Sequence, residues 1–180
     1  AFNLSKVNKS GAKFDPEKTK WFQQHYLQLA DNEVMANDFS EFLKSKNIAS
    51  DKDYVIKIVG LLKERAVFVH DFWDLGKYFF EAPIVFDEKA MKKAWKEDTN
   101  EILSELIEVL INIPVFESEK VQEAVKTWIT SKEIGFGKVM QPFRIALVGA
   151  LQGPDLYEIA GLIGKNETVN RLKIAISNCE

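Results

Sequence analysis

The 180-residue sequence predicts an all-α protein made of two consecutive helical-bundle subdomains. Three observations carry that expectation. Apolar residues recur three and four positions apart along almost the whole chain, which is the spacing of one helix face. No segment keeps an alternating apolar-polar pattern, so strands find no support beyond one short candidate at residues 82–86. Hydrophobic residues make up 46% of the chain and aromatic ones 12%, enough to bury a real core, which excludes a disordered tail.

Residues 1–14 are polar, lysine-rich and weakly periodic, and read as a linker. Asp15-Pro16-Glu17 is a helix start: Asp as cap, Pro in the first turn, Glu against the positive end. Trp21, Phe22, Tyr26 and Leu29 then follow at helical spacing. Asp31 or Asn32 caps the next helix, with Val34, Met35, Phe39, Phe42 and Leu43 inward and 44–47 as its frayed end. Ser50 or Asp51 opens a third, carrying Tyr54, Val55, Ile58, Val59 and Leu62 on one face and closing at Lys63-Glu64-Arg65. A further helix spans about 71–80, and Ala82-Pro83 stops it. The connector 82–87 is the expected boundary, which divides the chain into 1–14, 15–84 and 85–180.

Asp87 starts a helix with Ala90, Met91, Ala94 and Trp95 inward. Ile102, Leu103, Leu106, Ile107, Val109 and Leu110 line the next, which ends before Pro114. Phe116, Val121, Val125, Trp128 and Ile129 fit another. Gly135-Phe136-Gly137 then loosens the chain. Pro142 and Pro154 each suit the first turn of a helix, so two helix starts are expected back to back, with Gly149 and Gly153 bracketing the connector. Arg144 would lie in the first turn of one. Two adjacent N-termini and a guanidinium make a place for a polar, partly anionic ligand. Leu156, Ile159, Ala160 and Ile163, then Val169, Leu172 and Ile176, supply the last two apolar faces.

The net charge of −3 does not advertise nucleic-acid binding, but its distribution is uneven. Lys6, Lys9, Lys13, Lys18 and Lys20 outweigh Asp15 and Glu17 in residues 1–30, whereas 97–123 holds eight carboxylates against Lys120. Such a chain can turn a basic side to a phosphate backbone, and solvated helix faces account for the acidic block. Cys179 alone forms no internal disulfide and fits a reducing compartment. There is no signal-peptide pattern and no 18-residue apolar run, so no membrane partner is expected. The opening Ala1-Phe2-Asn3-Leu4 without methionine reads as a start inside a longer protein. His25 and His70 lie far apart without a second ligand nearby, so no metal site is assigned. Phosphate-loop, dinucleotide and nucleophile-elbow motifs are missing, and no catalytic residue is assigned.

Three ordered blocks carry a family resemblance. Residues 139–149 read V-M-Q-P-F-R-I-A-L-V-G, 153–159 read G-P-D-L-Y-E-I, and 162–167 read L-I-G-K-N-E. Together they closely resemble the C-terminal anticodon-binding region of bacterial glutamyl-tRNA synthetases, approximately Q-P-L-R-x-A-L-T-G, then G-P-x-L-F-E-I, then L-L-G-K-E. Phe143 and Val148 depart mildly from it. A separate block, K-F-D-P-E-K from Lys13 continuing through W-F-Q-Q-H-Y-L from Trp21, resembles the family's K-F-D-x-x-K-L-x-W-x-N-x-x-Y-I.

The resemblance implies the anticodon-binding part of a class I enzyme that joins glutamate to tRNA-Glu with ATP and magnesium. The H-I-G-H-type signature that contacts ATP is missing, so this chain by itself should activate no amino acid and needs no cofactor. By the same resemblance Arg144 and Leu156 would hold the first anticodon base, with Gln141 supporting Arg144. Gly153 and Pro154 would meet the middle uracil, although the family often has threonine at that glycine. Arg65 would take the third base, where cytosine offers acceptors to a guanidinium fork and guanine offers donors. Phosphate contacts would fall to Lys138, Lys9 and Lys13. A cytoplasmic monomer is expected. The alternative is a helical protein-interaction scaffold that has kept the fold without reading tRNA.

Overall fold

The computed structural model describes residues 15–179. Among them the chain forms ten α-helices, one 3₁₀ turn and no strand. Helix α1 (Pro16–Leu29) opens on Asp15, whose carboxylate accepts from the amides of Glu17 and Lys18. Its aromatic stripe faces solvent: Trp21, Phe22, Tyr26 and Leu29 are exposed, and Leu27 is the residue it buries. Helix α2 (Asn32–Ser45) is capped by Asp31, not Asn32, and buries Met35, Ala36, Phe39 and Leu43. Val34 points outward, one position off the expected face. Helix α3 (Lys52–Leu62) starts at Asp51 and packs along α2 through Val55, Ile58, Val59 and Leu62.

The expected helix over 71–80 is split. Helix α4 (Asp71–Gly76) passes into a 3₁₀ turn at Lys77–Phe79. Residues 82–86, the strand candidate, form an irregular connector instead. Pro83 has no amide to give a ladder, Ile84 and Val85 stand in solvent, and Asp87 anchors the segment by donating its amide to the Gly149 carbonyl at 2.8 Å.

Beyond the connector come α5 (Glu88–Ala94), α6 (Thr99–Ile111), α7 (Ser118–Ser131), α8 (Phe136–Val148), α9 (Leu156–Ile163) and α10 (Lys165–Ser177). Asp87 caps α5 through the Ala90 amide. Helix α10 packs on α6 and α8, α7 on α9, and α5 on α8. Helix α9 also touches the 3₁₀ turn, and one apolar cluster runs from Leu27 to Ala175 across the connector.

The largest departure from the sequence reading lies in α8. Gly135 is its cap, so Gly135-Phe136-Gly137 begins a helix where a loosened chain was expected. Pro142 therefore sits inside α8, not at a helix start. An interior proline removes one backbone donor and costs about 3 kcal/mol in an ordinary helix. Here Val139, Pro142, Phe143, Ala146 and Leu147 are all buried, and core packing along that face offsets the lost bond. Pro154 lies just outside α9, whose cap is Asp155, accepting from the Tyr157 and Glu158 amides.

Candidate nucleic-acid interface

A cleft of about 650 Å³ opens where four parts of the chain converge. The end of α3 contributes Leu62 and, one turn beyond it, Arg65. Helix α4 and the 3₁₀ turn supply Asp74, Leu75, Lys77 and Tyr78. Helix α8 gives Arg144 and Val148, and residues 150–154 of the α8–α9 loop close the remaining side.

The loop is fixed at both ends. Gly149 ends α8 at φ +83°, where a left-handed residue is needed, and Asp155 caps α9. Gly153 lies at φ +137°, a conformation open to glycine, and a Cβ there would come 3.2 Å from Arg144 Nη1 and 3.4 Å from Tyr78 Oη. Bare backbone thus forms part of the cleft wall.

Arg144 lies in the second half of α8 and not in a first turn, so the expected pair of helix N-termini around it does not exist. Its Nη1 donates to the Pro154 carbonyl at 2.8 Å, which orients the planar fork along the loop and leaves further donors for a ligand. Burial pulls the Arg144 guanidinium below its ordinary pKa, with Asp155 and Tyr78 opposing, and the group stays cationic. Arg65 and Lys77 are exposed cations on the facing wall, and Asp74 is the carboxylate among the lining residues. The cleft therefore sets cationic donors and loop backbone among apolar side chains such as Leu75, Val148 and Leu151, a surface suited to a planar ligand rich in acceptors.

Four of the residues singled out from the sequence meet in this cleft: Arg65, Arg144, Gly153 and Pro154. Leu156 does not. It is 2% exposed and belongs to the core. Gln141 is half-buried on α8 outside the cleft, and the bond that holds Arg144 comes from Pro154. Lys138 is engaged by Asp98 away from the cleft. Lys9 and Lys13 lie outside the described residues.

Three contributors were missed. Lys77 and Tyr78 follow the helix break at Gly76, and that glycine was the available signal. Arg171 on α10 is 3% exposed. Its Nη1 donates to the Tyr78 carbonyl at 2.7 Å and the Leu147 carbonyl at 2.8 Å, while Nε meets Glu167 at 2.7 Å. It thereby joins the 3₁₀ turn to the C-terminal end of α8, where a cation is favoured by the exposed carbonyls. Glu167 four residues ahead of an arginine flanked by Val169 and Leu172 was its trace in the sequence.

A helical scaffold that lines an open cleft with guanidinium groups and loop backbone has the build of a ligand-reading module. Comparison with known proteins identifies the family. The family model described as "Anticodon binding domain" matches residues 23–176, and the chain belongs to that family. Similar proteins include the glutamate–tRNA ligase of Christiangramia forsetii, 62% identical over 98% of this chain and 35% of that protein. The glutamate–tRNA ligase of Flavobacterium johnsoniae is 52% identical over the same shares. A crystal structure of a glutamate tRNA ligase from Elizabethkingia meningosepticum, in complex with its amino acid, superposes at TM-score 0.94 with 44% identity, over 99% of this chain and 36% of that one. The chain thus spans about a third of the length of the relatives it matches.

Proposed function

We propose that the cleft reads the anticodon of tRNA-Glu on behalf of a glutamate–tRNA ligase, as the anticodon-recognising part of that enzyme. The observation that carries this reading is the convergence of Arg65 and Arg144 on one cleft from segments almost eighty positions apart in sequence. Bases of an anticodon loop are unstacked, and their edges can be met by hydrogen bonding. Arg144 reads the first base, Gly153 and Pro154 pack against the middle uracil, and Arg65 takes the third. Each polar base contact contributes about 1–3 kcal/mol of discrimination, by analogy with bidentate readout. Gln141 and Leu156 act from behind the surface, and Lys138 with Lys9 and Lys13 provides the phosphate contacts. Residues 15–84 and 85–180 each contribute one arginine, which gives the division a functional meaning.

In this reading ATP and magnesium belong to the ligase's chemistry and not to anticodon reading. Asp74 is the one carboxylate lining the cleft, and no group of three metal-ligating side chains stands together among the described residues. We assign ATP use to the ligase and not to these residues. No described helix is long and apolar enough to cross a membrane. Action as a monomer in the cytoplasm completes the reading.

The test is a titration of the chain with tRNA-Glu and with a transcript whose third anticodon base is guanine. Binding should weaken about 5- to 150-fold with guanine, and Arg65→Gln should abolish the difference. Equal binding of both transcripts by the unmodified chain would refute the reading and favour a scaffold.

A further inference from the structure

We infer that Tyr78 is a further specificity-determining residue, whose hydroxyl donates a hydrogen bond to a carbonyl oxygen of the pyrimidine held against Gly153. The inference rests on the reading that this cleft receives anticodon bases. Among the described residues, Tyr78 Oη is the buried side-chain polar atom without a hydrogen-bond partner, and the residue is 6% exposed. A buried hydroxyl left unmatched costs folding free energy, whereas a partner brought by a ligand recovers it. The other two tyrosines raised by burial have partners: Tyr54 donates to the Phe79 carbonyl at 2.8 Å and Tyr157 to Met140 Sδ at 3.4 Å.

Its surroundings define what it can bind. Tyr78 lines the cleft together with Arg144 and Gly153, and a Cβ at 153 would lie 3.4 Å from the hydroxyl. With no side chain at 153, only the loop backbone separates the phenol from the cleft. Arg144 and Arg65 are the charges acting on the phenol. Burial outweighs them and pushes its pKa up to about 12, so the group keeps its proton at neutral pH. A neutral donor beside cationic donors selects an acceptor, and a uracil carbonyl supplies one. The hydroxyl is sealed from solvent in the free chain. The contact therefore requires residues 150–153 to yield on binding, a loop rearrangement of the kind that a minority of complexes show.

The experiment is a binding titration of Tyr78→Phe and the unmodified chain, using tRNA-Glu and a transcript with adenine as the middle anticodon base, alongside urea unfolding of both proteins. Tyr78→Phe should bind tRNA-Glu about 5- to 30-fold more weakly. It should lose nothing further with the adenine transcript, and its unfolding midpoint should be unchanged or higher because no internal hydrogen bond disappears. Equal binding of tRNA-Glu by both proteins overturns the inference, as does an equal loss on both transcripts or a lowered midpoint. If the unmodified chain still rejects guanine at the third base while Tyr78→Phe binds normally, this inference alone falls. If the unmodified chain ignores the anticodon, the proposed function falls with it.

Discussion

Replacing Arg171 by methionine tests how the cleft is held together. Methionine keeps most of the aliphatic stem and deletes the guanidinium. Two carbonyls, Tyr78 and Leu147, then lose a donor that sits 2.7 and 2.8 Å away in a buried setting. Each unmatched buried acceptor costs about 1–3 kcal/mol. Glu167, whose side chain is 38% exposed, rehydrates at little cost. Allowing for relaxation and non-additivity, the substitution should destabilise the chain by roughly 2–5 kcal/mol. That is a large share of the ~5–15 kcal/mol typical of a domain. Urea unfolding followed by tryptophan fluorescence gives the number as a fall in midpoint at constant slope. Under conditions where the variant is folded, tRNA binding should also weaken, because the 3₁₀ turn and α8 no longer share a tether. A loss below about 1 kcal/mol with normal binding would refute the clamp.

Further outcomes follow from the same geometry. Gly153→Ala places a non-glycine residue at φ +137° and a Cβ 3.2 Å from Arg144 Nη1, so stability should fall by about 1–3 kcal/mol and tRNA binding should weaken, both read by titration and unfolding. Arg144→Lys keeps the charge but loses the fork, and should cost about 1–3 kcal/mol of binding to tRNA-Glu while leaving the unfolding midpoint nearly in place. Asp155→Ala removes the α9 cap and should lower stability by about 0.5–2 kcal/mol in the same unfolding assay. Burial pushes Tyr54, Tyr78 and Tyr157 each up to about 12. The folded chain thus holds protons that the unfolded chain releases above about pH 10. Stability is complete below that pH and falls as pH rises towards 12, and a flat midpoint between pH 9 and 11 would contradict it.

Aspartate caps were the most legible feature of the sequence. Asp15, Asp31, Asp51 and Asp87 each start a helix, because a short carboxylate one residue ahead of an apolar period satisfies amides that nothing else reaches. Proline was read less well. A proline marks a first turn only when no stronger register runs through it, and in α8 the apolar face from Val139 to Leu147 carries the helix past Pro142. The aromatic stripe of α1 was also ambiguous, since spacing reports that residues share a face but not what that face meets. The cleft residues Arg65 and Arg144 were recognisable through the family pattern. Tyr78 and Arg171 were not, because their roles arise from contacts between α10, α8 and the 3₁₀ turn, separated by up to 93 positions.

The misplaced helix start changes the physical account of the site. Had Pro142 opened a helix, Arg144 would lie in its first turn beside the positive helix end. Within α8 it instead spans to the Pro154 carbonyl, and the loop between Gly149 and Asp155 is fixed at each end by a helix terminus. Under the proposed function, a base entering the cleft meets an Arg144 fork already aimed by its bond to Pro154, whereas the Tyr78 hydroxyl is uncovered only as residues 150–153 yield. Preorganisation of that kind reduces the ordering cost of recognition. It also predicts where discrimination should fail first: at the loop, when Gly153 or the Asp155 cap is altered, even with both arginines intact.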